Sequence, residues 1–175
     1  MSETIRAAAV QLVRERGYGQ VSIAALVEAA GVSRQTLYNR WSTKAELVLD
    51  AFSHEVWASV TSPDLDSDQP REALLRAFLG EVFAHLERDA EILRSLIGAA
   101  QSDAGFRAVF WERFVAPRSA LVEELLRDAQ RRGELSTDRD VEMLSTMIHG
   151  AFWFRLLNAR PLESEVADRI VSEIF

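Results

Sequence analysis

The sequence predicts an all-α protein of about nine helices, an N-terminal three-helix module followed by a larger C-terminal helical part. Three observations lead there. Apolar residues recur three and four positions apart along most of the chain, and no stretch shows the period-two alternation of a half-buried strand. Residues 22–41, SIAALVEAAGVSRQTLYNRW, read as two short helices joined by one tight turn. Residues 61–70, TSPDLDSDQP, gather prolines and acids into ten residues that favour turn over helix and mark the main boundary loop.

The first helix carries Ile5, Ala8, Ala9, Leu12 and Val13 on one face and ends in the Gly17-Tyr18-Gly19 turn, with Tyr18 expected as a plug beneath it. Ser22 can accept a bond from a free backbone N–H and so cap the second helix, whose Ile23, Leu26, Val27 and Ala30 share a face. Gly31 stops that helix, because glycine adopts the left-handed backbone without a Cβ clash. Ser33 can cap a third helix over 34–41. This helix turns Leu37 and Trp41 inward, with Val32 just before it, and leaves Arg34, Gln35, Thr36, Tyr38, Asn39 and Arg40 outward. Two helices meeting steeply across such a turn form a helix-turn-helix, whose second helix fits the major groove of DNA. The outward residue types suit base edges: arginine pairs bidentately with guanine, Gln and Asn with adenine, and the methyl of Thr36 can meet that of thymine. Thr43 and Glu46 form a capping box that opens a fourth helix toward Val60, with Leu47, Val48, Ala51, Phe52 and Val56 as its apolar face. Lys44, the one lysine in the chain, falls in its first turn, where a cation and free N–H groups attract phosphate.

Residues 5–52, with AGVSRQTLYNRW followed by TKAELV, resemble the DNA-binding domain of the tetracycline-repressor (TetR) family of bacterial transcription regulators. The resemblance implies that the second helix of the pair reads bases, that Tyr38 and Lys44 hold phosphates, and that Ser22 approaches the backbone. It further implies a homodimer that reads a palindromic operator and leaves it when a small molecule enters the C-terminal part. On that plan residues 1–48 are the DNA-binding domain and 49–175 the ligand-binding and dimerisation domain. Two features depart from the family pattern: Val27 stands where alanine is usual, and no basic arm precedes the first helix.

Beyond the boundary loop, 71–88 presents Leu74, Leu75, Phe78, Leu79, Val82, Phe83 and Leu86, an apolar arc too broad for a surface helix. A shorter helix over 90–100 follows, then a long one over 104–132 that Gly133 stops and Pro117 should kink. The eighth helix, 138–158, is apolar on two faces: Val141, Leu144, Ile148, Phe152 and Leu156 on one, Met143, Met147, Gly150 and Phe154 on another. Such a helix must be buried twice, and a second copy can supply the second burial. The expected seam joins Val141, Leu144, Ile148 and Phe152 to Val166, Ile170 and Ile174 of the last helix, 163–175, as a four-helix contact. Phe78, Phe106, Phe110, Trp111, Phe114, Met143, Met147 and Trp153 are candidates to line an apolar effector cavity, although large residues at helical spacing also serve as plain core. Arg113 and His149 lie near this belt, the first expected in solvent and the second hydrogen-bonded at the seam.

The absence of cysteine excludes disulfides and thiolate metal sites. His54, His85 and His149 fall on separate helices, the acidic runs at 64–68 and 138–140 read as loop and cap, and no nucleophile–base pair or phosphate loop stands out, so neither an enzyme nor a cofactor is expected. No apolar run is long enough to span a bilayer and no leader of the secretory type is present, which points to the cytoplasm. The net charge of −7 divides unevenly: residues 1–50 hold six bases against five acids, the remainder fourteen against twenty-two. A module so weakly basic should bind DNA loosely and salt-sensitively, and need two copies per site. The expected function is a regulator, most simply a repressor, released from a palindromic operator by a small hydrophobic or aromatic effector. The competing reading is a helical ligand-binding or interaction protein whose helix-turn-helix no longer engages DNA.

Overall fold

The computed structural model describes residues 2–175, and every regular element among them is helical. In chain order these are α1 (Ser2–Arg16), a 3-10 turn (Tyr18–Gln20), α2 (Ile23–Ala30), α3 (Arg34–Tyr38), α4 (Lys44–Ser59), α5 (Arg71–Arg88) and α6 (Ala90–Ser102). Then comes α7, made of Ala104–Phe110, a π turn (Trp111–Val115) and Ala116–Arg131 with no non-helical residue between them, followed by α8 (Val141–Leu157) and α9 (Ser164–Ile174). Counted this way, the described residues form nine helices. None is long and apolar enough to cross a membrane.

The departures from the expected elements have local causes. Helix α3 stops at Tyr38 rather than Trp41, because the N–H groups of Arg40 and Trp41 both turn back to the Leu37 carbonyl, leaving Asn39 and Arg40 in a turn. The capping box of α4 is displaced by one residue on one side: Thr43 Oγ1 accepts from Glu46 N at 3.1 Å, but the Glu46 carboxylate accepts from Ser42 N. Helix α8 begins at Val141 rather than 138, where Asp140 caps it by accepting from Met143 N at 3.1 Å. Pro117 has no N–H to offer the carbonyl one turn back, and the chain answers with the wider π turn ending just ahead of it rather than with a break.

The chain forms two compact units, Met1–Trp57 with Asp89–Val115, and Ala58–Arg88 with Ala116–Phe175. The first is built on Ile5, Val10, Leu12, Val13, Leu26, Leu37, Leu47, Val48 and Phe52, with Phe114 stacked on Phe52 at 5.7 Å and Phe110 on Phe114 at 5.3 Å. In the second, α5 packs against α9 and the latter half of α7, and that half of α7 against α8. Phe83 and Phe152 meet there at 5.2 Å. The loop before α5 is drawn together by buried Arg71, whose guanidinium donates to the carbonyls of Leu65, Ser67 and Gln69 and to the Asp128 carboxylate.

Several residues of the expected dimer seam are used within the chain itself. Val141, Leu144, Ile148, Phe152 and Ile174 are core residues of a single chain, Ile148 being 1% exposed and Phe152 4%. The second apolar face of α8 is the uncovered one, with Met147 58% and Phe154 59% exposed and Met143 and Leu157 alike. Met143, Met147, Gly150, Phe154 and Leu157 are spaced alternately by four and three, the period at which two helices keep one seam in contact. Val166 and Ile170 on α9 remain half-buried.

Candidate nucleic-acid interface

Helices α2 and α3 are short, so their ends decide whether they form. Ser22 Oγ accepts from Ala25 N at 3.1 Å, and Gly31 takes the left-handed conformation (φ 64°) that ends α2. Ser33 Oγ accepts from Thr36 N at 3.1 Å and shares a 2.9 Å hydrogen bond with Thr36 Oγ1. Behind α3, Leu37 is buried, and Trp41 is buried with its indole N–H donating to Asp50 Oδ2 at 3.0 Å. The same oxygen accepts from Arg6 Nε at 2.8 Å, so one carboxylate on α4 braces both α1 and the exit of α3.

The outer face is the reverse of this. Arg34, Gln35, Tyr38, Asn39 and Arg40 are exposed, Tyr38 to 49%, and among the described residues their side chains make no hydrogen bond or ion pair with the chain. Thr36 is half-buried, its hydroxyl held by Ser33. In an acidic protein this lack of commitment stands out: Arg6, Arg14, Arg71, Arg76, Arg94, Arg127, Arg131 and Arg132 are all ion-paired within the fold. Arg34 and Arg40 keep free donors on a surface with no acid of its own, which is what bidentate recognition of a base or a phosphate requires.

Lys44 is placed differently from a bare phosphate holder. Its ammonium donates to the carbonyls of Tyr18 (2.8 Å) and Val21 (2.9 Å) and lies 4.1 Å from the centroid of the Tyr18 ring. Partial burial lowers its pKa, and burial raises that of the Tyr18 phenol beneath it. Two of its three N–H groups therefore clamp the turn that leads into α2, and one remains for a ligand.

The candidate effector-cavity residues divide between the two units. Phe106, Phe110 and Phe114 are buried in the first unit and Phe78 in the second, while Trp111, Met143 and Met147 are exposed and Trp153 is half-buried with its ring against Phe152 at 4.8 Å. Arg113 is exposed. His149 lies within α8, donating from Nδ1 to the Ser145 carbonyl at 2.8 Å, and burial lowers its pKa. The second unit has an open cleft of about 660 Å³ beside Arg76, Gly80 and Asp168, and a groove of about 360 Å³ between α8 and α9 lined by Ala151, Phe154, Val166 and Ile170. Three arginines carry structural weight that the sequence did not signal: Arg14, Arg71, and Arg118, whose burial pushes its pKa down to about 9. Nothing in a single sequence separates such arginines from solvated ones.

Comparison with known proteins bears on both parts of the chain. The family described as "Bacterial regulatory proteins, tetR family" matches residues 5–51, and that described as "Tetracyclin repressor-like, C-terminal domain" matches residues 65–174. The chain is 30% identical to the HTH-type transcriptional regulator YdeS of Bacillus subtilis over 155 residues, covering 89% of this chain and 77% of that one. Its fold is similar to the crystal structure of the TetR family transcription regulator SCO0332, with a TM-score of 0.78 and 32% identity over 98% of this chain and 93% of the other. It is also similar to that of the transcriptional regulator FadR from Bacillus subtilis in complex with stearoyl-CoA, with a TM-score of 0.75 at 19% identity over 98% and 96% of the two chains.

Proposed function

The chain belongs to the tetR family of bacterial regulatory proteins, and from that premise we propose that it is a homodimeric repressor, released from a palindromic operator by a small hydrophobic effector. Being a member, it is a DNA-binding transcriptional regulator and not an enzyme. The observation that carries the finer reading is the uncommitted face of α3. Arg34, Gln35, Thr36 and Asn39 are the base-reading set, and Tyr38, Arg40 and the free N–H of Lys44 hold phosphates, with Ser22 and Ser33 at the helix starts close to the backbone.

Residues 1–48 act as the DNA-binding domain and 49–175 as the regulatory one. The second copy lies on the exposed apolar faces of α8 and α9, centred on Met147, Phe154 and Ile170, because Met143, Met147, Phe154 and Leu157 are each more than half exposed at the spacing of a helix–helix seam. The effector favours a conformation of the dimer whose two reading helices no longer match successive major grooves, and it must bind that conformation more tightly than the DNA-bound one to shift anything. Because the similar FadR holds stearoyl-CoA, an acyl-CoA is the first probe for such an effector.

Selection of binding sites from randomised duplexes tests the reading. A two-fold symmetric site is expected, with Arg34→Ala and Tyr38→Ala each weakening binding about 5- to 150-fold, in line with the loss of one contact of about 1–3 kcal/mol. No enrichment at low salt would favour the competing interaction protein. An operator complex indifferent to acyl-CoA would remove that class of effector and leave DNA binding standing.

A further inference from the structure

Arg14, near the end of α1, is one guanidinium shared by two carboxylates. Its Nε donates to Asp89 Oδ1 at 2.7 Å and its Nη2 to Asp89 Oδ2 at 2.6 Å, a two-point fork, and the same Nη2 reaches Glu55 Oε1 at 2.6 Å. The Asp89 side chain is 2% exposed. Asp89 occupies the cap position of α6, where an aspartate ordinarily accepts from the first turn of its helix, yet it makes no capping bond. Its carboxylate is spent on α1 instead. The hydrogen bonding to Asp89 is also the leading reason that the Arg14 pKa lies above its ordinary value, against the opposing effect of burial.

The position of these carboxylates matters more than their number. The chain passes between its two compact units after residues 57, 88 and 115. Glu55 lies two residues before the first passage, and Asp89 is the first residue after the second. One guanidinium on α1 therefore grips the unit that carries α3 at two of the three places where the chain enters or leaves it. Helix α6 packs in addition against the 3-10 turn, the same turn whose carbonyls Lys44 clamps from α4.

We propose that Asp89 is a positioning residue for operator recognition: acting through Arg14, it fixes the helix-turn-helix to the point of chain entry and thereby sets the half-site spacing that the dimer accepts. The inference rests on the proposed palindromic reading. Half-site separation is a geometric property of the protein, so a slackened joint should reveal itself as tolerance of the wrong separation rather than as weaker contact with each half-site.

The test uses the full-length protein and the palindrome that the wild type selects, together with versions of it one and two base pairs longer or shorter between half-sites. Asp89→Asn keeps the shape of the side chain and removes the charge of the fork. It should reduce the preference for the selected spacing by about fivefold or more, the lower end of ordinary coupling between sites. Arg14→Lys, which keeps the charge and loses the fork, should move in the same direction and serves if Asp89→Asn fails to fold. The exchange Arg14→Asp with Asp89→Arg should recover part of the preference. If both single variants melt at lower temperature but discriminate spacings as the wild type does, the pair is only structural and the proposal is overturned. If the wild type selects no palindrome, the premise fails first, and the two failures are told apart by that result.

Discussion

Lys44 shows how a residue type can be read correctly for charge and incompletely for role. Its ammonium meets two backbone carbonyls and a ring of its own chain before it meets any phosphate. Lys44→Met should therefore destabilise the protein by about 1–3 kcal/mol, the range for leaving buried acceptors without their donor, visible as a lower melting temperature without DNA. An unchanged melting temperature would return Lys44 to the role of a bare phosphate holder. The Arg71–Asp128 pair makes a second prediction, in pH. The hydrogen bond from Arg71 holds the Asp128 carboxyl below its usual range. A carboxyl whose folded pKa lies below its unfolded value contributes stability that is present above the unfolded value and lost as pH falls through the folded one. Thermal stability should accordingly fall below about pH 4, and Asp128→Asn should be less stable at neutral pH with a flatter acid limb.

Each helix is set by its ends as much as by its apolar face. Caps at Ser22, Ser33, Thr43 and Asp140 were visible as residue types, and all four accept from the first turn of the helix they open, as does Asp103 at the start of α7. The stop of α8 closes its last carbonyls, with Ala159 N donating to Leu156 O and Arg160 N to Arg155 O, but without a glycine. Ala159, just past Asn158, lies in the left-handed region at φ 50°, where its Cβ crowds the following carbonyl. Ala159→Gly should raise stability by about 0.5–1 kcal/mol despite the added freedom of the unfolded chain, readable as a higher denaturant midpoint. A lower midpoint would mean that the methyl group packs better than the backbone angle implies. The π turn before Pro117 belongs to the same class: the proline and its missing N–H could be read from the sequence, but the choice between a kink, a break and a wider turn depends on the neighbours that hold Phe110 and Phe114 in place.

For the molecule as a whole, the distribution of committed charge governs the strength of DNA binding. Of the six bases in residues 1–50, Arg6 and Arg14 are ion-paired within the fold and Arg34 is assigned to base edges, leaving Arg16, Arg40 and Lys44 for phosphates. Two or three phosphates neutralised by each half of a dimer give a slope of log K against log salt of about −4 to −5. A slope steeper than about −8 would mean that the internal pairs open onto DNA. The assembly itself is tested by Met147→Glu and Phe154→Glu, which should yield folded monomers in sedimentation, whereas a charge at Ile148 should unfold the chain. Folded dimers carrying either glutamate would place the seam elsewhere.

The sequence by itself determined the helical class, the helix-turn-helix and the polar face of α3, because each depends on contacts within a few residues: apolar spacing, a serine before a helix, a glycine after one. Only the tertiary structure decided which of two apolar faces of α8 is covered by its own chain, that Asp89–Val115 joins the unit holding α3, and that Asp89 serves Arg14 rather than its own helix. These depend on partners up to 75 positions away. Side-chain type and spacing state what a residue can bond, whereas the choice among partners is made by packing, which brings some within reach and excludes the rest.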